Sequence, residues 1–171
     1  MIVERAGDLL RDDAQALVNP VNTAGVMGKG LALQFKRAYP DNFTAYAKAC
    51  AEGRLHPGEI LCVPVDDRWI LNFPTKRHWR SKSRLEDIGT GLEALARVLD
   101  ERHITSVAVP PLGCGHGGLA WTAVRPLITT TLAPPARDRP PLPTKHDDPT
   151  TSRNPLNTAS RPARETAPPG H

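Results

Sequence analysis

The sequence predicts an α/β fold, a mixed sheet flanked by helices on both faces, and three observations carry that expectation. Short apolar runs alternate with amphipathic stretches of helical period, the order that builds a sheet with helices packed over it. Two glycine-rich segments, Gly25–Gly30 and Gly113–Gly118, each follow such a run, which is where sheets of this kind hold their ligands. The pattern is confined to the first part of the 171 residues: every aromatic residue lies before position 122, and more than half of the eighteen prolines lie after it.

Taken in order, Ile2 and Val3 open a short first strand, and Gly7-Asp8-Leu9-Leu10 turns the chain. Ala16 to Val18 reads as a buried strand closed at Asn19-Pro20, because the residue before a proline is pushed out of the helical region. After the first glycine loop, Leu31 to Tyr39 forms a helix with Leu33, Phe35, Ala38 and Tyr39 on it, stopped by Pro40. Asp41 has the chemistry of an N-cap for a second helix, about Asn42 to Ala51, with Phe43, Tyr46, Ala47 and Cys50 on one stripe. Glu59 to Val65 and Arg68 to Phe73, separated by Asp66-Asp67, read as a hairpin whose second strand is broken by Pro74. A polar loop, Thr75 to Lys82, leads to Ser83-Arg84-Leu85-Glu86, which has the form of a capping box. The helix it opens carries Leu85, Ile88, Leu92, Leu95, Ala96 and Leu99. Ser106 to Val109 is another buried strand, ended by Pro110-Pro111, and Trp121 to Ile128 begins a last helix beyond the second glycine loop.

The expected domain boundary is at 128. Residues 129–171 contain no Ile, Val, Phe, Trp or Tyr, so they cannot bury enough apolar surface to offset the entropy of ordering, and a Pro-rich disordered tail is expected there. Residues 1–128 suffice for one domain with a real core. A formal net charge of +4 is too mild to identify a partner. Cys50, Cys62 and Cys114 are an odd number without paired spacing, and no signal peptide precedes them, which points to free thiols in a reducing cytoplasm. No apolar run is long enough to span a bilayer, so no membrane partner is expected. A metal site is not expected either, since no Cys-x-x-Cys occurs and His78 and Cys114 have no neighbouring ligands in sequence.

Strand, glycine loop and helix start make an anion site, because glycine lets the backbone approach a phosphate and the free amides of the helix start point at it. The spacing is neither that of a triphosphate P-loop, since Lys29 lies between two glycines, nor that of a dinucleotide fingerprint. Two such loops at one sheet edge would grip a diphosphate from two sides; tight turns alone are the plainer use of the same glycines. Asn19, before a proline, suits turn chemistry, whereas Asn22 lies nearer the loop and its amide suits a ribose hydroxyl. Trp79 sits among Lys76, Arg77, His78 and Arg80, with Lys82 following. That segment is either a solvated basic loop or a place where a single-stranded nucleic acid stacks a base and lays its phosphates.

Gly7-Asp8-Leu9, Val18-Asn19-Pro20-Val21-Asn22, the Gly25–Gly30 loop and Pro111-Leu-Gly-Cys-Gly115 together resemble a macrodomain, an ADP-ribose-binding fold. Val26-Met-Gly-Lys-Gly-Leu-Ala-Leu-Gln-Phe-Lys36, Asn72-Phe-Pro-Thr-Lys-Arg-His-Trp79 and Ser83-Arg-Leu-Glu-Asp87 resemble the DarG type, the antitoxin of DarT–DarG systems, over about residues 1 to 128. The resemblance implies hydrolytic removal of ADP-ribose from modified DNA bases, thymidine in single-stranded DNA. It also implies no cofactor, a cytoplasmic monomer, and a DarT-like toxin as partner. It assigns Asp8 to the adenine amino group, with Leu9 beside it, and Asn22 to the distal ribose. Asn19, Gly25, Val26, Met27, Gly28, Lys29, Gly30 and Thr75, with Gly113, Cys114, Gly115, His116 and Gly117, would line the ligand. Arg77, His78, Trp79, Arg80 and Lys82 would meet the nucleic acid. Lys76 matches the catalytic lysine; a lysine acts as nucleophile or base only when neutral, so cationic neighbours such as Arg77, Lys82 and Arg80 would help it by repulsion.

Two departures from the family pattern stand out. An aspartate that a related eukaryotic subtype carries in the second glycine loop is matched here by Gly117, with His116 beside it. The family also continues past Ile128 with the rest of a helix and a final strand, where this chain turns Pro-rich. A non-catalytic ADP-ribose reader, or a truncated product without stable activity, are therefore the alternatives to an enzyme.

Overall fold

In a computed structural model, the structure describes residues 2–134. A four-stranded sheet has the order β2-β3-β1-β4, with β1 at Ala16–Asn22, β2 at Leu61–Val65, β3 at Arg68–Lys76 and β4 at Val107–Ala108. β1 runs parallel to both β3 and β4, while β2 and β3 form the expected antiparallel hairpin. Asp66, at its turn, takes a positive φ of 51°, which aspartate tolerates.

The strands alternate between two apolar faces. Ala16 and Val18 of β1 and Leu71 and Phe73 of β3 pack under α3 (Leu85–Glu101) and α4 (Trp121–Thr131), against Ile88, Leu92, Leu95, Val124 and Ile128. Leu17 and Ile70 face the other way and bury Phe35 of α1 (Gly30–Ala38). Val21 joins Met27 and Leu55 around Tyr46 and Ala49 of α2 (Pro40–Ala51). The mixed sheet with helices on both faces is therefore as expected.

Several local expectations differ. Residues 2 and 3 form no strand; Ile2 and Val3 are exposed. Gly7–Leu10 is a turn only in part, since Leu9–Arg11 winds into a single 3₁₀ turn capped by Asp8. β1 does not close at Pro20 and β3 is not broken at Pro74. Their setting explains this. β4 pairs only with Ala16 and Leu17, and β2 reaches along β3 only to Asn72, so each proline lies where its strand has a ladder on one side alone. The capping box does not form: the N-cap of α3 is Arg84, no side chain caps it, and Ser83 instead donates its N–H to the Gly117 carbonyl at 3.0 Å. The strand at 106–109 contracts to Val107–Ala108. α4 continues past Ile128 to Thr131, and the expected tail lies, beyond Pro134, outside the described residues.

Candidate functional site

The carboxyl ends of β1 and β3 meet at one corner: Asn22 pairs with Lys76, and the Thr23 N–H donates to the Lys76 carbonyl at 3.1 Å. From that corner the first glycine loop leaves β1 for α1. Its shape comes from Asn22. The side-chain oxygen accepts from the Ala24 N–H at 3.0 Å, from the Val26 N–H at 3.3 Å and from the Tyr46 hydroxyl at 2.9 Å, while the amide donates to the Val26 carbonyl at 2.7 Å. Gly25, at φ 81°, makes the reversal that such close bonding requires. Burial pushes the Tyr46 hydroxyl far above its ordinary pKa, so it remains a neutral donor. Asn22 thus supports the loop with its oxygen and most of its hydrogen-bonding capacity, and its second amide N–H makes no hydrogen bond among the described residues.

The second glycine loop is built differently. Backbone bonds close it, from Cys114 N–H to Pro111 at 3.2 Å, Gly118 N–H to Gly115 at 3.2 Å and Leu119 N–H to Gly113 at 2.9 Å. Gly117 is buried so closely that a Cβ would stand 2.2 Å from Ser83 Oγ and 2.3 Å from the Gly113 carbonyl oxygen. The position where an acid was missed in the sequence therefore admits no side chain at all. Exposed His116 turns to the other loop: a Cβ on Gly30 would lie 3.4 Å from its Nε2. The two glycine loops face one another across this contact.

Lys76 ends β3 beside Asn22, within electrostatic reach of two other lysines. Partial burial lowers its pKa below the ordinary 10.5, and Lys82 and then Lys29 lower it further by repulsion. Lys29 belongs to the first loop, and the Lys82 ammonium lies 3.3 Å from a Cβ position on Gly118 of the second. Of the cations expected to depress Lys76, Lys82 does so, but Arg80 and Arg77 do not. Arg77 is turned away into a two-pronged pair with Asp87, at 3.3 and 3.2 Å. Lys29 was not anticipated in this role, because its nearness to Lys76 depends on the β1–β3 register rather than on sequence spacing.

Not every expected residue reaches the ligand side. Asn19 is fully buried beneath the loop, donating to Asn72 at 3.1 Å and toward Met27 Sδ at 3.8 Å. Asn72 in turn exchanges hydrogen bonds with Asn42 of α2 at 2.8 and 3.0 Å. Met27 and Thr75 are buried too, Thr75 donating to the Val21 carbonyl at 3.4 Å. Val26, Gly28 and Lys29 form the exposed crest, and Gly115 and His116 that of the second loop, where Cys114 is half-buried with its thiol pKa raised by burial. Asp8 accepts the Leu10 N–H at 3.0 Å and lies 3.6 Å from Arg11; no hydrogen bond among the described residues ties it to either loop. Leu9 packs beside the Phe35 cluster together with Leu31 of α1.

The basic segment is a tight turn. The His78 N–H donates to Ser81 Oγ at 3.1 Å, that hydroxyl donates to the His78 carbonyl at 2.7 Å, and the Arg80 N–H donates to His78 Nδ1 at 3.2 Å. Trp79 is 43% exposed, stacked on His78 at 5.3 Å with the Arg80 guanidinium 4.3 Å from its ring centre. Sequence reasoning missed Tyr46, which reads as one more apolar residue on a helix stripe. It missed Asp87 as the partner of Arg77, although an acid in the first turn of a helix is a signal that could have been followed. Among the described residues no cluster of His, Cys, Asp or Glu could hold a metal, and no helix is long and apolar enough to cross a membrane.

A family model described as the Macro domain matches residues 18–128. The chain is 56% identical over 136 residues to a Mycobacterium tuberculosis protein named DNA ADP-ribosyl glycohydrolase, an alignment covering 77% of this chain and 39% of that protein. It thus spans about two fifths of the length of such curated relatives. The structure superposes on the macrodomain of Mycobacterium tuberculosis DarG with a TM-score of 0.74 and 53% identity, covering 77% of this chain and 89% of that one. It also superposes on Thermosipho africanus DarTG in complex with ADP-ribose, with a TM-score of 0.69 and 36% identity over 79% of this chain and 42% of that one.

Proposed function

This chain belongs to the Macro domain family, and from that premise we propose that it holds ADP-ribose between its two glycine loops and hydrolyses it from a modified base of single-stranded DNA. The observation that carries the reading is the pKa of Lys76, lowered by burial and by Lys82 and Lys29, at the corner from which the first glycine loop leaves β1. The backbone amides of both loops take the pyrophosphate, and the free amide hydrogen of Asn22 reaches the distal ribose. Asp8 takes the adenine end beside Leu9.

A neutral Lys76 amine attacks the anomeric carbon of that ribose. The new carbon–nitrogen bond forms as the bond to the base breaks, and the proton lost by the alkylated amine goes to the departing base nitrogen. Water then adds to the same carbon, releases ADP-ribose and restores the amine. The cationic neighbours favour the neutral amine before attack and hold the ligand's phosphates afterwards. A DarT-like toxin, which would make the modified base, is the partner this chemistry calls for, and the working unit is a monomer in the cytoplasm.

The second reading, a reader that binds ADP-ribose without cleaving it, draws on Gly117, since the second loop has no room for an acid. Lys76→Ala separates the two. The enzyme reading expects ADP-ribose binding by calorimetry within a few-fold of the parent chain and release from a modified oligonucleotide reduced by at least a hundredfold. Unchanged release would remove Lys76 from the chemistry, and no release by the parent chain would leave the reader.

A further inference from the structure

Residues 73–76, the end of β3, are held by a strand on one side only, because β2 reaches along β3 no further than Asn72. On that one side the ladder is irregular. Val21 of β1 pairs with Pro74, but Asn22 pairs with Lys76, so Thr75 is an extra residue on β3. Such a bulge re-aims the side chain that follows it. It sets Lys76 at the place beside Asn22 that an unbroken ladder would give to Thr75. Successive side chains of a strand alternate in face, so that step of one residue decides which way the lysine leaves the sheet. Thr75 itself is buried, its hydroxyl donating to the Val21 carbonyl at 3.4 Å. A bulge at the end of a strand has little ladder beyond it to keep it closed, and here Thr23 supplies the closure. Directly after β1, its N–H donates to the Lys76 carbonyl at 3.1 Å and its hydroxyl donates to the Arg77 carbonyl at 2.7 Å. One residue at the start of the first glycine loop thus grips two successive carbonyls. The Arg77 side chain is held separately, by Asp87.

We infer that Thr23 is a positioning residue for the reaction: its hydroxyl holds the bulge at Thr75 closed and so fixes the direction in which Lys76 leaves β3. The inference rests on the reading of Lys76 as the reacting amine, and it deepens that reading by naming what aims the amine. Thr23 acts through the backbone and needs no contact with the substrate. Without the hydroxyl, the bond from the Thr23 N–H remains, but the Arg77 carbonyl is released and the end of β3 frays away from Asn22. Lys76 then moves toward water and away from Lys82 and Lys29, the cations within its electrostatic reach, while the Asp87 carboxylate stays occupied by Arg77. A reacting group displaced by about 1 Å loses up to about a hundredfold in rate, although the ligand is bound as before.

The test pairs Thr23→Val, which keeps the shape and loses the hydroxyl, with Thr23→Ser, which keeps the hydroxyl. Two quantities are read on the full chain. One is kcat and KM for release of ADP-ribose from a modified oligonucleotide. The other is the pH midpoint for acetylation of Lys76 by an N-hydroxysuccinimide ester, followed by peptide mass spectrometry. Thr23→Val should lower kcat about tenfold and leave KM within about twofold of the parent chain. It should also move the acetylation midpoint upward, toward the ordinary 10.5, as the ammonium regains water. Thr23→Ser should match the parent chain in both quantities. In both variants ADP-ribose should still raise the thermal midpoint, which shows that they fold and bind. A parent-like kcat and acetylation midpoint in Thr23→Val overturn the inference. A Thr23→Ser chain as slow as Thr23→Val overturns it too, since the hydroxyl would then not be what matters. So does an effect confined to KM, which would make Thr23 a ligand contact. If the parent chain releases no ADP-ribose, the glycohydrolase reading falls; an acetylation midpoint raised in Thr23→Val alone then still upholds the positioning, and an unmoved midpoint overturns it.

Discussion

The two glycine loops are held by opposite means. The first is shaped by side chains, with Asn22 bonding both flanks of its own turn and Tyr46 reaching up from α2 to brace it. The second has backbone bonds and contact so close that Gly117 lies against Ser83 and the Gly113 carbonyl with no space for a methyl group. The first loop is therefore vulnerable to losing atoms and the second to gaining them. It also explains why the second loop contributes no acid: the packing that shapes it excludes one.

The largest expected effect follows from that asymmetry. Gly117→Ala should cost about 1–3 kcal/mol of folding stability in urea, from overpacking, and should weaken ADP-ribose binding about a hundredfold by calorimetry. Adding Ser83→Ala should not rescue it, because the Gly113 carbonyl oxygen would still stand 2.3 Å from the new carbon. Full rescue would mean that the side chain alone shapes the loop. Asn22→Ala should come next, costing about 1 kcal/mol in the same titration, since bonds of that order vanish while the Tyr46 hydroxyl keeps the Asn22 carbonyl as a partner. A change below 0.5 kcal/mol would mean that the first loop, too, is held by its backbone.

The smallest effect concerns Lys76. In the folded chain the Lys76 ammonium is disfavoured by burial and by Lys82 and Lys29, so its pKa lies below 10.5. The associated cost to folding is present at low pH and disappears as pH rises from that lowered value through 10.5. Release of ADP-ribose should climb over the same limb as the amine loses its proton. Lys29→Gln removes a positive neighbour, so it should move the limb upward and lower release at neutral pH by less than tenfold. A pH–rate profile checks this, and a downward move would mean that Lys29 acts on Lys76 in some way other than repulsion.

What the sequence made legible was local. Apolar runs, helix stripes and the glycine segments after Val18 and Pro111 place the sheet, its flanking helices and both loops, because each of those signals is complete within a few residues. Pro20 and Pro74 misled because a proline breaks a strand only where a neighbour needs its N–H, and the reach of β2 and β4 is a tertiary fact. Ser83 misled for a similar reason. Its capping pattern is satisfied in sequence, yet its backbone is drawn to Gly117, far along the chain, and the helix start is left open. That the Asn22 side chain also shapes its own loop is not legible, because nothing near it in sequence announces Tyr46. Lys29, Lys76 and Lys82 come from three separate segments, and only the folded sheet brings them to one corner.

Amide hydrogen exchange with and without ADP-ribose, resolved by segment, tests most directly whether one ligand is shared by both loops. Saturating ADP-ribose should slow exchange in 23–30 and in 113–118 together, over the same range of ligand concentration. Protection of one segment with the other unchanged, or protection of the two at separate concentrations, would mean that the loops do not share a ligand.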